Sequence, residues 1–318
     1  MRMFEKIFRE SDLILAEGAF VERIKGEFNT QISNHINHAG LIYDKAEVLE
    51  ILYRQYIDIG KLHNVPIMVM TPTRKVNYLS IKETKYKDKD IISDSFLFLN
   101  EIKKSYGEYS NKIMIGGLMG CKGDAYKSIN ALNINDSYEF HQNQSIEFQK
   151  HNFDFLFAGI MPEINEAIGM AKAMAETNIP YIISFMIRKD GCLIDGTPIS
   201  TAISIIDEEV SPQPICYLTN CIHPKNLHLA LSNHININKP QLSRFKGIQA
   251  NGSILSPEEL NNCDILHTDD SNNLIDEMLL LYKQFDLKIF GGCCGTDDKF
   301  IADLSSRLLN TAIVNEKF

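Results

Sequence analysis

Short apolar runs alternate along this chain with longer stretches in which apolar residues recur every third or fourth position. The short runs have the length and β-branched or aromatic content of buried strands. Eight of them stand out, at 13–16, 66–70, 112–115, 153–158, 181–186, 214–218, 245–249 and 287–290. The longer stretches predict amphipathic helices. Segment 47–60 places Val48, Leu49, Leu52, Tyr56 and Ile59 on one face, 164–177 sets Ala and Met against Glu and Lys, and 274–285 repeats the pattern. Regular alternation of strand and helix predicts a parallel sheet. Eight units in succession predict that the sheet closes into a (β/α)8 TIM barrel, and no GxGxxG follows the first strand to favour an open dinucleotide-binding sheet.

Length and composition sharpen this reading. The chain has 318 residues, 44% hydrophobic and 23% charged, which is material for one large core. No Pro/Gly/Ser linker or fixed-period repeat divides it, so residues 1–318 are expected to form one barrel domain. A formal net charge of −9 argues against a nucleic-acid or anionic-membrane binder, because phosphate neutralisation needs clustered cations. The basic stretch 82–89 is interrupted by acids and reads as a solvated face. No apolar run is long enough to cross a bilayer, and the first residues lack the apolar core of a signal peptide, so a cytoplasmic location is expected.

In such a barrel the chemistry sits on the loops that follow the strands. Those positions hold Glu17-Gly18-Ala19, Thr71-Pro72-Thr73, Gly116-Gly117 with Cys121 nearby, Thr219-Asn220-Cys221, Asn251-Gly252-Ser253 and Gly291-Gly292-Cys293-Cys294-Gly295-Thr296. Seven cysteines scattered over a long chain make a poor disulfide framework. Cys293 and Cys294 are adjacent and flanked by glycines that permit a sharp turn, and Cys221 ends a strand facing the same mouth. Three thiolates with a fourth place open describe a catalytic zinc site, and soft sulfur favours Zn over Mg or Ca. Cys192, Cys216 and Cys263 read as small packed hydrophobes, and Cys121 as structural. His223, two residues past Cys221, is read as a ligand or proton shuttle only secondarily. His35 and His38 form an HxxH without a glutamate between them and are expected at the surface. A dinuclear hydrolase would need His-x-His after the first strand, which is absent.

The GGCCGT stretch at 291–296, preceded by Asn220-Cys221 about 70 residues upstream, resembles the zinc signature of the homocysteine S-methyltransferase family. Other segments are similar in the family's order. Glu17-Gly18-Ala19 resembles its Asp-Gly-Gly turn, and Thr71-Pro72-Thr73 its Thr-Asn-Thr. His141 and Gln144 resemble an H-x-x-Q helix. Pro162, Glu166-Ala167, Asp195-Gly196 and Asn251-Gly252 follow. The resemblance implies zinc held by Cys221, Cys293 and Cys294, with homocysteine sulfur in the fourth position. It implies a methyl acceptor site shaped by Glu17, Gly18, Ala19 and Asn251, with no catalytic residue beyond the metal site. The Gly18 and Ala19 N–H groups would meet the amino-acid carboxylate, with the acid at 17 near the ammonium. The product would be methionine, placing the enzyme in methionine biosynthesis, and the donor would be a small molecule or a corrinoid protein.

Two departures qualify what the resemblance implies. The family usually has Asp where this chain has Glu17. It also commonly places Glu-Thr, or Glu with an aromatic, at the end of the fourth strand, where this chain has Gly159-Ile160. Losing a carboxylate opposite a buried ammonium costs about 2–5 kcal/mol. Either Glu17 or Glu163 compensates, or the acceptor is a different thiol. A third expectation is a non-catalytic zinc- or thiol-binding subunit of a corrinoid system.

Overall fold

The structure is a computed structural model that describes residues 2–128, 130–256, 259 and 268–315. Its centre is a closed ring of eight strands: β1 (Ile14–Ala16), β2 (Ile67–Met70), β3 (Ile113–Met119), β4 (Phe155–Met161), β5 (Tyr181–Phe185), β6 (Cys216–Ile222), β7 (Phe245–Ala250) and β8 (Ile289–Gly292). Every pairing is parallel, and the ring closes where Ile14 stands opposite Ile289 and Leu15 opposite Phe290. Outside it lie α1 (Ala46–His63), α2 (Ile91–Lys104), α3 (Ile134–Phe148), α4 (Ile164–Ala175), α5 (Ile199–Glu209), α6 (Pro224–Ser232), α7 (Ser271–Gln284) and α8 (Asp298–Asn315), each following the strand of the same number. This is the expected (β/α)8 barrel.

The strands carry little polar alternation because both faces are covered. In β2, Met68 and Met70 point into the barrel while Ile67 and Val69 pack against the helical layer, and all four are buried. Helix α1 turns Val48, Leu49, Leu52, Tyr53 and Tyr56 toward the sheet and stops at Asn64, which takes the left-handed conformation (φ 55°, ψ 30°) common after a helix end. The basic stretch 82–89 contains no fully buried lysine, and Lys85 pairs with Asp44 at 2.8 Å.

Several strands run further toward the mouth than their apolar runs predict. β3 continues from the expected end at 115 to Met119, β4 from 158 to Met161 and β6 from 218 to Ile222. Gly116-Gly117, Thr219-Asn220-Cys221 and Gly291-Gly292 therefore belong to strands and not to the loops after them. Glycines and polar residues there lowered the strand signal, yet neighbouring strands supply the backbone partners: Gly116 pairs with Phe155 and Asn220 with Gln249.

The opposite end of the barrel is closed by a helix before β1 (Met3–Glu10). Its Phe4 is fully buried among the inward-facing side chains, 4.8 Å ring to ring from Phe155. The Arg2 guanidinium fixes the helix by donating to the Phe153 carbonyl at 2.9 Å. Removing this ring leaves a cavity that rigid strands cannot collapse. Phe4→Ala is expected to cost about 3–5 kcal/mol, read as a lower denaturant midpoint with an unchanged slope.

Candidate metal centre

At the mouth, the Sγ atoms of Cys221, Cys293 and Cys294 lie within 4.8 Å of one another. Cys221 stands at the end of β6 and the pair just after β8, with β7 between them. In a regular strand Asn220 and Cys221 would point to opposite faces. The register between β6 and β7 shifts between Asn220 and Ile222, and Cys221 takes a left-handed backbone (φ 62°). This bulge turns the sulfur into the mouth beside the inward-facing Asn220. A non-glycine residue in that conformation costs on the order of 1–3 kcal/mol, a cost typical of functional sites.

The neighbouring cysteines converge through a tight turn. Cys293 N–H donates to the Ala250 carbonyl at 2.7 Å, extending the β7–β8 ladder by one step. Its own carbonyl accepts from Thr296 N–H at 3.2 Å and from the Thr296 hydroxyl at 2.7 Å. The third turn position, Gly295, has φ 75°, where only glycine sits without strain. Gly292 must be small for another reason: a Cβ there would lie 2.1 Å from the Thr296 hydroxyl that ties the turn. Glu22 completes the fixation by accepting Gly295 N–H at 2.6 Å.

Two side chains address the Cys221 sulfur directly. Asn251 Nδ2 donates to it at 3.3 Å, while Asn251 Oδ1 accepts Ser253 N–H at 2.8 Å and so fixes the amide's orientation. The Tyr126 hydroxyl, from the loop after β3, stands 3.0 Å away. The Cys293 and Cys294 thiols hold Cys221 well below the usual thiol range, and are themselves pushed up by it. One sulfur thus gathers charge that its neighbours stabilise. Tetrahedral zinc with Zn–S near 2.3 Å would place sulfurs roughly 3.8 Å apart. The donor set and its spacing therefore fit such an ion with a contraction of an ångström or less.

The cluster forms one wall of a cavity of about 330 Å3 at the barrel mouth, which also reaches Glu17, His38, Arg74, Leu118 and Ile160. That is the size of a small-molecule site.

A model of the family described as homocysteine S-methyltransferase matches residues 14–308. The chain belongs to the homocysteine S-methyltransferase family. It is accordingly a methyltransferase. Among solved structures, it is similar to the metallated homocysteine methyltransferase MmuM from Escherichia coli, with 17% identity and a TM-score of 0.76 over 96% of this chain and 99% of that one. The oxidised form of MmuM matches at 17% identity and a TM-score of 0.76 over 96% and 100%, and the apo form at 18% and 0.68 over 96% and 99%. At this identity the likeness shows the barrel alone. No protein of curated function matches the chain.

The remaining residues singled out from the sequence separate clearly. Glu17 is buried at the cavity, and its Oε2 accepts Met70 N–H at 3.0 Å. Ala19 N–H already donates to the Thr296 carbonyl at 3.2 Å, which leaves Gly18 N–H as the open donor of that pair. Glu163 caps α4, accepting Glu166 N–H at 2.9 Å, and does not line the cavity. Asp195 serves the same helix start by accepting Ile164 N–H at 2.8 Å. His223 caps α6 through Nδ1, with Nε2 facing Asp269 at 3.2 Å, and is not part of the sulfur cluster.

Cys121 lies outside the cluster, its thiol pushed up to about 12 by burial. Cys216 packs inside the barrel and Cys192 is half-buried; Cys263 lies outside the described residues. His141 and Gln144 brace the loops: Gln144 Nε2 donates to the Thr73 carbonyl at 3.1 Å, and His141 pairs with Glu166, which accepts Lys122 N–H at 2.6 Å.

The sequence reading misplaced one cavity residue and passed over others, Arg74 and Tyr126 among them. The expectation of a surface HxxH holds for His35 but fails for His38, whose Nδ1 is buried beneath the cavity rim. The long connection between β1 and α1 folds back over the mouth and carries it there. Tyr126 and Arg74 also sit on loops, with no spacing pattern to mark them.

Glu17 has a consequence for stability. Burial pushes its carboxyl up to about 8, only partly offset by Met70 N–H. Between its unfolded value near 4.5 and 8, the folded chain holds a proton that the unfolded chain has released, so its contribution falls as pH rises. By pH 7 the loss is on the order of 3 kcal/mol. Glu17→Gln keeps the shape without the charge. Denaturant titrations should show it more stable than the parent, by a margin that grows from pH 5 to pH 8.

Proposed function

We propose that this protein is a zinc-dependent S-methyltransferase that transfers a methyl group to the thiol of homocysteine, yielding methionine. Three cysteine sulfurs within 4.8 Å, opening on a cavity of small-molecule size, carry this reading. Cys221, Cys293 and Cys294 would hold the ion. Bound zinc would supply a lowered pKa for an incoming thiol, so that the thiolate is available at neutral pH.

The protein's own residues do the positioning. Transfer is an in-line displacement: the acceptor sulfur forms a bond to the methyl carbon as the donor's bond to it breaks. Holding both partners in line is therefore a large part of the rate. Asn251 and Tyr126 support charge on the Cys221 sulfur through their N–H and O–H groups. The apolar wall of Leu118, Phe157 and Ile160 excludes water from the reacting sulfur. Glu17, protonated in the empty cavity at neutral pH, is the carboxyl that would ionise beside an acceptor ammonium. Gly18 contributes its open N–H, while Ala19 serves through its place in the turn.

In this reading the methyl donor is a small molecule or a corrinoid protein, and transfer takes place in the cytoplasm. No helix among the described residues is long and apolar enough to cross a membrane.

A second reading, methyl transfer to a different thiol, is favoured by one observation. Gly159 and Ile160 line the cavity where the family's acid is expected, and no other carboxylate replaces it from that strand.

Metal analysis joined to calorimetry tests the central reading. Anaerobically purified protein should hold one zinc per chain, and Cys293→Ser should weaken zinc binding at least tenfold. L-homocysteine should bind the zinc-loaded protein with release of a proton. Absence of zinc from protein purified without chelator would refute the metal assignment.

A further inference from the structure

The cavity has a cationic pole that the sulfur chemistry does not use. Arg74 follows the Thr71-Pro72-Thr73 turn at the end of β2 and lines the same cavity as the cysteines. Among the described residues no carboxylate lies within ion-pair distance of its guanidinium, although it is half-buried. The turn that carries it is fixed. Thr71 and Thr73 share a hydrogen bond of 2.7 Å, the Thr73 hydroxyl donates to the Leu118 carbonyl at 2.8 Å, and Gln144 holds the Thr73 carbonyl. A guanidinium carried by a fixed turn, lining a ligand cavity and without a carboxylate partner among the described residues, can receive an anion.

His38 stands close enough to be affected by the Arg74 charge, and burial with that charge holds its imidazole down at about 4. It is therefore neutral at physiological pH, with one ring nitrogen free to donate. Its Nδ1 is buried without a partner, and its ring stacks on Phe20 at 5.7 Å. Two polar side chains from different loops thus converge unsatisfied on one end of the cavity.

The opposite features point the same way. An amino-acid thiol has an ammonium and a carboxylate to place. The acid at position 159 is absent, and Ala19 N–H is already spent on Thr296. Both usual handles on the amino-acid end are reduced, while a new cationic one is present.

We propose that Arg74, assisted by His38, seats the carboxylate of the methyl acceptor, so that this enzyme selects acidic thiols by their carboxylate and not by their amino group. The inference rests on the thiol-methyltransferase reading above. It extends the acceptor class from homocysteine to mercapto acids lacking an α-amino group. Arg74 acts as a specificity residue, and the reacting sulfur and its proton are unaffected by it.

The test uses zinc-loaded full-length protein and three acceptors: L-homocysteine, 4-mercaptobutyrate (acid without amine) and 3-mercaptopropylamine (amine without acid). Binding is read by calorimetry and turnover by kcat/KM at fixed donor. The wild type is expected to bind 4-mercaptobutyrate at least tenfold more tightly than the aminothiol. In Arg74→Gln that ratio should fall by roughly 10–100-fold, with one zinc per chain retained. Arg74→Lys should recover part of the ratio, and Arg74→Glu should shift preference toward the aminothiol. A change of fold or metal content would lower all three acceptors together and would not move the ratio.

An undiminished ratio in Arg74→Gln overturns the proposal. So does a loss confined to the KM of an acidic methyl donor, which would assign Arg74 to the donor. If zinc-loaded wild type binds no thiol at all, the thiol-methyltransferase reading itself fails, a result distinguished by appearing before any variant is compared.

Discussion

Everything at the mouth of this barrel depends on one departure from strand geometry. A regular strand alternates its side chains, yet Asn220 and Cys221 both have to address the inside. Asn220 binds the Ser184 hydroxyl on β5 and donates to Gln249 on β7 at 2.5 Å, and Gln249 in turn donates to the Glu17 carbonyl after β1 at 3.3 Å. This belt ties four strands together across the mouth. Only the bulge and left-handed backbone at Cys221 allow the next residue to contribute a sulfur as well. If the bulge were smoothed out, the belt or the sulfur cluster would have to be given up. An ion that bound the bulged form in preference to the unfolded chain would couple metal binding to folding through this residue.

The barrel separates what stabilises it from what it does. The floor and wall are apolar and saturated: Phe4 against Phe155, the methionines of β2 and β3, and the Tyr56 hydroxyl donating to the Ala19 carbonyl at 2.7 Å. The mouth holds the costly groups. A carboxyl is buried at Glu17, three thiols share one site, and His38 Nδ1 is buried without a partner. Each costs the empty protein stability and becomes favourable only with a ligand present, the usual relation between active-site groups and marginal stability. The anchoring of the mouth is correspondingly strong. Arg23 pairs with Asp298 at 2.8 Å and donates to Tyr56 at 3.1 Å, locking the β1–α1 connection to α8.

How much of this was legible in the sequence follows from which physical signals are local. The strand cores were readable because a wall buried on both faces needs uninterrupted apolar residues. Their ends toward the mouth were not, because Gly159 and Asn220 line a cavity and Gly116 makes room for the Phe155 ring, so that all three are residue types of loops. The three cysteines were readable because the turn needs glycine at 292 and 295 for reasons that act within a few residues. The placement of His38, Arg74 and Tyr126 was not. Each lies on a long connection whose path over the mouth is set by distant contacts, and a lone His, Arg or Tyr carries no spacing that reveals its direction. Glu163, one of two acids expected to compensate for Gly159, is consumed as the cap of α4, accepting the N–H of Glu166 three residues later, a competition that only the three-dimensional arrangement resolves.

Electrostatics links the sulfur cluster to the cationic pole. Three thiolates around a divalent ion would carry a net negative charge, and an acceptor thiolate would add another. In a cavity walled by Leu118, Phe157 and Ile160 such charge is poorly screened. A methyl donor whose methyl group sits on a positive centre is drawn to that field and needs few specific contacts. The acceptor's carboxylate is in the reverse position, because the field that favours the donor repels it. A cation on the cavity wall would resolve this conflict, and Arg74 lies on a loop held by Thr71, Thr73 and Gln144. Burial and the neighbouring Arg74 charge keep His38 neutral, so that it adds only a hydrogen bond. A positive charge on this wall would thus complement the negative charge that the sulfurs gather.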